Sequence, residues 1–484
     1  MLTCANVTSQ PSNLGCEFWA VDLDQQDYAG SDPASASWGV VLTNPGTVDA
    51  NVTIEENTAA VGQTVTPSTV VQVTVAKGGV QTVKLPIREL DCGSKPNDSA
   101  SPGTCLSSRA FRISATAPIA AHQFNTIDVS ASSDASLLLP SHALGKTHRV
   151  VGFNAGHPKP ATFPGIGLIV DRSFVTVVGV KPNTQVKVTP TWRIKGNAPI
   201  SATAAGGSIS VVLGPFDVLN LETDDATDAD MTATVADLSG TAVESDQPVA
   251  VFTGVESAGV PGALSVPTPP GWSSGDTCCL DHLEEQVIPA ESLGTSYVVT
   301  RSPVRSTGGF QEADVLRFVG GSVAATVKTS LPAPFDSFTL NPGEVKTTHT
   351  QADVTVSSTQ PVTVGQLLVS QQLTSGGTVG DPSLLIFPPV AHWLTDYLIP
   401  TPAGWAQSWI VIAAPVGANV TLDGAAPAGC TTQSAGALSG TSYESKRCNV
   451  SAGSHRLQSA TPFGVAVYGY GSSVSYAMPG GSAL

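Results

Sequence analysis

The stretch from Cys278 to Gln286, CCLDHLEEQ, holds the densest set of reactive side chains in the sequence. Asp281, His282, Glu284 and Glu285 offer the carboxylate and imidazole groups that divalent cations take as ligands. A strand or a helix would aim neighbouring side chains in different directions. A metal site of Asp281, His282 and Glu284 therefore stands second to a structural loop, stapled by a vicinal disulfide between Cys278 and Cys279. Two acidic runs carry a related chemistry: DLDQQD with Asp22, Asp24 and Asp27, and ETDDATDAD with Asp224, Asp225, Asp228 and Asp230. Calcium binds closely spaced carboxylates and backbone carbonyls, so it is the cofactor these runs could take. Neither has the EF-hand spacing with its closing Glu, and a solvated acidic turn is the plainer expectation. No other cofactor is expected.

Catalytic patterns are scarce. The chain has no GxSxG elbow, HExxH helix, phosphate loop or GxGxxG run, and its eight histidines are dispersed. His122 falls inside an apolar strand, where a core imidazole is the common outcome. An enzyme is not expected, and a secreted hydrolase with a site built from distant loops is the remaining catalytic alternative. Trp272, Trp393 and Trp405 flank the most variable loops, where an indole can stack on a sugar or anchor a protein partner.

The elements that must carry these residues are β-strands. Only 12% of the 484 residues are charged, Gly (47) and Pro (36) are abundant, and apolar residues rarely recur at helical spacing. A net charge of −16 with 22 Lys and Arg argues against nucleic acid and anionic membrane as partners. No apolar run approaches the length that spans a bilayer, so no direct membrane insertion is expected. Three cysteine couples within Gly/Pro/Ser-rich loops, Cys4 with Cys16, Cys92 with Cys105 and Cys430 with Cys448, have the look of disulfide staples and point to an oxidising, extracytoplasmic setting.

Repetition organises the chain. A proline followed by an apolar run recurs four times, at Pro118, Pro248, Pro361 and Pro462. A turn leading into a strand follows, as in LEEQVIPAESLGTSYVV, and a two-strand pattern around a turn recurs in SWGVVLTNPGTVDANVTI and SFVTVVGVKPNTQVKVTP. These repeats divide the chain into units 1–126, 127–256, 257–370 and 371–484. The fold class is all-β: four pseudo-repeats of antiparallel sheet. Because the proline-led runs are apolar on both faces, a propeller-like closed array is preferred over tandem β-sandwich domains. The loops SAGVPGALSVPTPPGWSSGDT and SQQLTSGGTVGDPS follow corresponding strands, so they should emerge on one face and meet a ligand there.

The elements GCEFWAVDLD, QPVAVFTGVE, CCLDHLEEQVIPAESLGTSYVV, LLIFPPVAHWLTDYLIPTP and GVAVYGYGSSVSYAMPGG span nearly the whole chain. Together they resemble the bacterial relatives of the N-terminal domain of the IgG Fc-binding protein family. The resemblance implies a secreted or cell-surface binding or adhesion module, whose partner would be an extracellular protein or glycan met by loops on one face. It also implies that CCLDHLEEQ is a recurring structural element before a strand. It supplies no binding residue to carry over. A structural component that self-associates into a surface layer or fibre is the main alternative.

Overall fold

The runs after Pro118, Pro248, Pro361 and Pro462 form the second halves of four long strands, Phe111–Phe124, Ala242–Ala258, Val354–Leu368 and Gly453–Gly471. Branched and small apolar residues favour an extended backbone, and proline, which lacks an N–H, is tolerated where a strand leaves one hydrogen-bonded ladder for another. Burial changes at that point. Residues before the proline are partly exposed, whereas those after it are buried on both faces. The computed structural model describes residues 2–9, 12–26, 33–90, 103–129, 132–164, 167–231, 236–273 and 279–484. Among these, helix is confined to short 3-10 turns.

Each long strand is shared by two antiparallel sheets. In the first unit its leading half lies between Gly15–Ala20 and Ala50–Asn57, and its trailing half between Gly39–Thr43 and Ala135–Leu138. Pro67–Val75 extends the former sheet and Val80–Lys84 the latter. The plan recurs around the other three long strands, modified at one edge of the fourth, where Thr431–Leu438 extends the second sheet. Cys105–Ser107 crosses over from the first unit to pair with Val218–Glu222 of the second. Pairing groups residues 15–138, 145–286, 294–386 and 394–479. The last strand of each group thus follows the long strand, beyond the unit ends read from the repeats at 126, 256 and 370.

Each unit encloses its own core between its two sheets. In the second, Val186, Val188 and Val243 of one sheet meet Val175, Leu219 and Val251 of the other. Such units are compatible with the tandem arrangement weighed against the propeller above. The described strands do not show a closed propeller. The lack of alternation in the proline-led runs has another cause, because the outer face of each second sheet is covered by neighbouring units.

That cover is arranged around an axis. The last strands, Ala135–Leu138, Asp281–Gln286, Leu384–Ile386 and Val474–Pro479, touch one another in that order, and the fourth touches the first. Every residue of these strands is buried. Just before the first of them, the Asp134 carboxylate accepts hydrogen bonds from Ala135 N (2.9 Å), Glu284 N (3.2 Å), Ser383 Oγ (2.5 Å), Leu384 N (2.9 Å) and Ala477 N (3.3 Å). One side chain therefore ties all four units together. Asp134→Ala would leave several buried donors without an acceptor and should lower unfolding free energy by at least about 3 kcal/mol. Exposed Asp336→Ala should change it by less than about 0.5 kcal/mol. Denaturant unfolding of the two variants checks this, and equal midpoints would remove Asp134 from its central role.

Candidate functional site

The strand Asp281–Gln286 carries the reactive motif into the centre of the molecule. Alternation puts His282 and Glu284 on one face, with His282 Nε2 3.5 Å from Glu284 Oε2 and the imidazole stacked on Phe174 at 5.9 Å. Asp281 turns elsewhere and accepts from Ser133 N (2.6 Å) and Ser475 N (3.2 Å). Burial lowers the His282 pKa to about 3 and raises that of Glu284 to about 8, so at neutral pH the two form a neutral pair. The three residues do not converge on one point. Cys279 is disulfide-bonded, and Cys278 lies outside the described residues. Cys4–Cys16 and Cys430–Cys448 are bonded as couples; Cys105 is bonded too, while Cys92 lies outside the described residues.

The first acidic run divides. Asp27 lies outside the described residues, and Asp22 accepts from Arg88 N at 2.7 Å. Asp24 instead joins Glu222 and Glu256 of the second unit, all buried, with ligand oxygens within 4.8 Å of one another. This is the one trio of carboxylates among the described residues that is close enough to share an ion. Asn220 Nδ2 donates to Asp24 (2.9 Å), and Gly103 N to Glu222 (2.7 Å). A side chain at Gly103 would collide with the Asp24 carboxylate, so only glycine fits there. Burial, and then the neighbouring Glu222, push the Asp24 and Glu256 carboxyls well above their ordinary range. Arg172 lies 3.7 Å from Glu222. Burial opposes its charge, but Glu222, Glu256 and Asp225 outweigh that effect and raise its pKa. The second acidic run is ion-paired: Asp225 with Arg172 and Lys195, Asp230 with Arg193, and Asp228 with Lys159.

Beside this buried polar seam opens a cleft of about 1010 Å³. The two loops expected to share a face both line it. Val260, Leu264 and Trp272 come from one, and Ser370 and Leu373 from the other. They are joined by Ser370 N to Val260 O (2.9 Å) and Val260 N to Ser370 Oγ (3.2 Å). Gln26, His157, Phe163 and Ile169 also line it. Behind them Asp171, fully buried, accepts from Gln26 Nε2 (2.6 Å) and from His157 Nδ1. Burial raises the Asp171 pKa against the pull of His157 and Gln26.

Of the three tryptophans, Trp272 alone lines this cleft. Trp393 is buried edge-on against Tyr443 at 5.7 Å, and Trp405 is half-buried edge-on against Tyr476 at 4.7 Å. Gln26, His157, Asp171 and Glu256 meet their partners only through tertiary folding, which no local pattern marks, and Glu222 opens the acidic run ETDDATDAD but finds Asp24 and Glu256 far away in the chain. Glu256 carried a faint signal as a charged residue closing an apolar strand.

Antiparallel sandwiches strung along one chain, with a ligand-sized cleft built from their loops, define a loop-presenting all-β scaffold. Residues 134–469 match the family described as IgGFc binding protein, and the chain belongs to that family. No curated protein matches it. Among solved structures, a mutant of the major pilin from Streptococcus pyogenes is similar at 7% identity over 64% of this chain and 98% of that chain. The TM-score is 0.16.

The buried titratable groups give stability a definite pH dependence. Glu284, raised from 4.5 to about 8, contributes stability that is complete below pH 4.5 and is lost as pH rises through 8. His282, His122 and His148, lowered by burial from 6.5 to about 3, 4 and 4, contribute stability that is present above pH 6.5 and lost in acid. From pH 6.5 to 8 the histidine share is constant and the carboxyl share falls. The thermal midpoint should therefore drop across that interval, and Glu284→Gln should flatten the drop. A midpoint that rises from pH 6.5 to 8 would mean that these carboxyls are already ionised in the folded protein.

Proposed function

We propose that the protein is an extracellular binding module, secreted or held at a cell surface, that takes part of an extracellular protein or glycan into the cleft between its second and third units. The observation that carries this reading is the convergence of the 259–273 and 370–373 loops, with Trp272, on a cavity of ligand size. Disulfide staples suit an oxidising exterior, and the family's description is that of a binding protein. Rigid sandwiches closed around a polar axis hold the loops in place. The reading is of binding without catalysis. Calcium is an optional addition to this reading, and its ligands would be Asp24, Glu222 and Glu256.

One observation favours assembly as a second reading. Pro67–Val75 is an edge strand, PSTVVQVTV, with no charged residue to discourage pairing with another chain. Light scattering distinguishes the two. A binding module should run as a monomer, whereas concentration-dependent oligomers that vanish in Thr69→Lys would favour assembly.

The binding reading is checked by probing arrays of extracellular proteins and glycans with the whole chain. Retention of at least one ligand is expected. Leu264→Asp, inside the cleft, should abolish it in a protein that still unfolds cooperatively, while Asp336→Ala should leave it intact. Undiminished retention by Leu264→Asp would reject the cleft as the binding site.

A further inference from the structure

The lining of the cleft narrows the chemistry of its occupant. Asp171 uses one oxygen for Gln26 Nε2 and the other for His157 Nδ1, so both side chains are anchored from behind. Their remaining polar atoms, Gln26 Oε1 and His157 Nε2, have no hydrogen-bond partner among the described residues. The indole N–H of Trp272, also on the lining, is buried and lacks a partner among the described residues. Phe163, edge-on to His157 at 5.4 Å, adds a second aromatic surface. No lysine, arginine, aspartate or glutamate lines the cleft among the described residues, although the chain carries a net charge of −16.

Three spaced polar atoms, at least one of them a donor and one an acceptor, with aromatic rings between them, call for a ligand that has hydroxyls at its edge and an apolar face. A pyranose has both, and a hydroxyl satisfies His157 Nε2 whichever tautomer the ring adopts. An apolar peptide anchor would strand all three polar atoms, at a cost of about 1–3 kcal/mol each. A charged ligand would find no counter-charge among the described residues of the lining.

We propose that the cleft is a carbohydrate site taking the neutral end of an oligosaccharide, with a sugar face on Trp272 and hydroxyls on Gln26, His157 and the indole N–H. Asp171 is a positioning residue that touches no ligand. This assignment rests on the cleft being the binding surface, and the test separates the two claims.

The whole chain is applied to an array of neutral and acidic glycans, and a retained oligosaccharide is then titrated calorimetrically against variants. Retention of neutral glycans is expected, with affinity about tenfold weaker in His157→Ala and in Trp272→Phe, which keeps the ring and removes the N–H. Trp272→Ala should weaken it further, and the thermal midpoint of Trp272→Phe should match the parent, whereas that of His157→Ala should fall because Asp171 loses a buried partner. An array retaining no neutral glycan, or only acidic ones, overturns the carbohydrate assignment. If a protein ligand is bound instead and is lost in Leu264→Asp, the cleft stands and the sugar does not. Neutral-glycan affinity unchanged in all three variants overturns the site itself.

Discussion

A single carboxylate meets donors from all four units at the centre of this molecule. Asp134 accepts from its own unit through Ala135, from the second through Glu284, from the third through Ser383 and Leu384, and from the fourth through Ala477. Burial pushes its pKa up, and the donors from Ser383, Leu384 and Ala135 pull against that rise. Apolar strands can slide past one another at little cost, whereas directional donors aimed at one acceptor fix their relative position. Asp281 adds a second tie, from Ser133 to Ser475, and Asp381 N donates to Ser475 Oγ at 2.8 Å. The register of the ring is thus set by polar groups inside an otherwise apolar shell.

With the axis fixed, the loops are free to differ. At the corner between the second and third units they leave a cleft. Between the fourth and first, Val129 lies against Gly404 and Gly471, and the cavity at that junction is smaller, about 290 Å³. Quasi-equivalent scaffolding therefore yields junctions that differ in how far they open.

Much of the architecture was legible in the sequence because it is written in local pattern. The four proline-led runs mark the shared strands, since proline falls where the ladder changes and two-sided burial follows it. The two glycine-rich loops after corresponding strands were recognisable as neighbours for the same reason. What could not be read is how each unit closes, because an apolar run covered by a neighbouring sandwich has the same composition as one covered by a neighbouring blade. The site was harder still. Gln26 and Asp171 are 145 positions apart and Asp24 and Asn220 are 196 apart, so no window of sequence contains either contact. CCLDHLEEQ misleads in the opposite way: its polar residues are dense because the strand is the innermost of the second unit, where each must find a partner in another unit or remain neutral.

The ring contact between the first and fourth units has a mechanical corollary. Leu2 and Asn13 border the same small cavity as Gly480, and Gly481 abuts Asn13, so the two ends of the folded body lie side by side. Tension applied through both ends would peel that seam open first, parting the outermost units while the cleft on the far junction stays assembled.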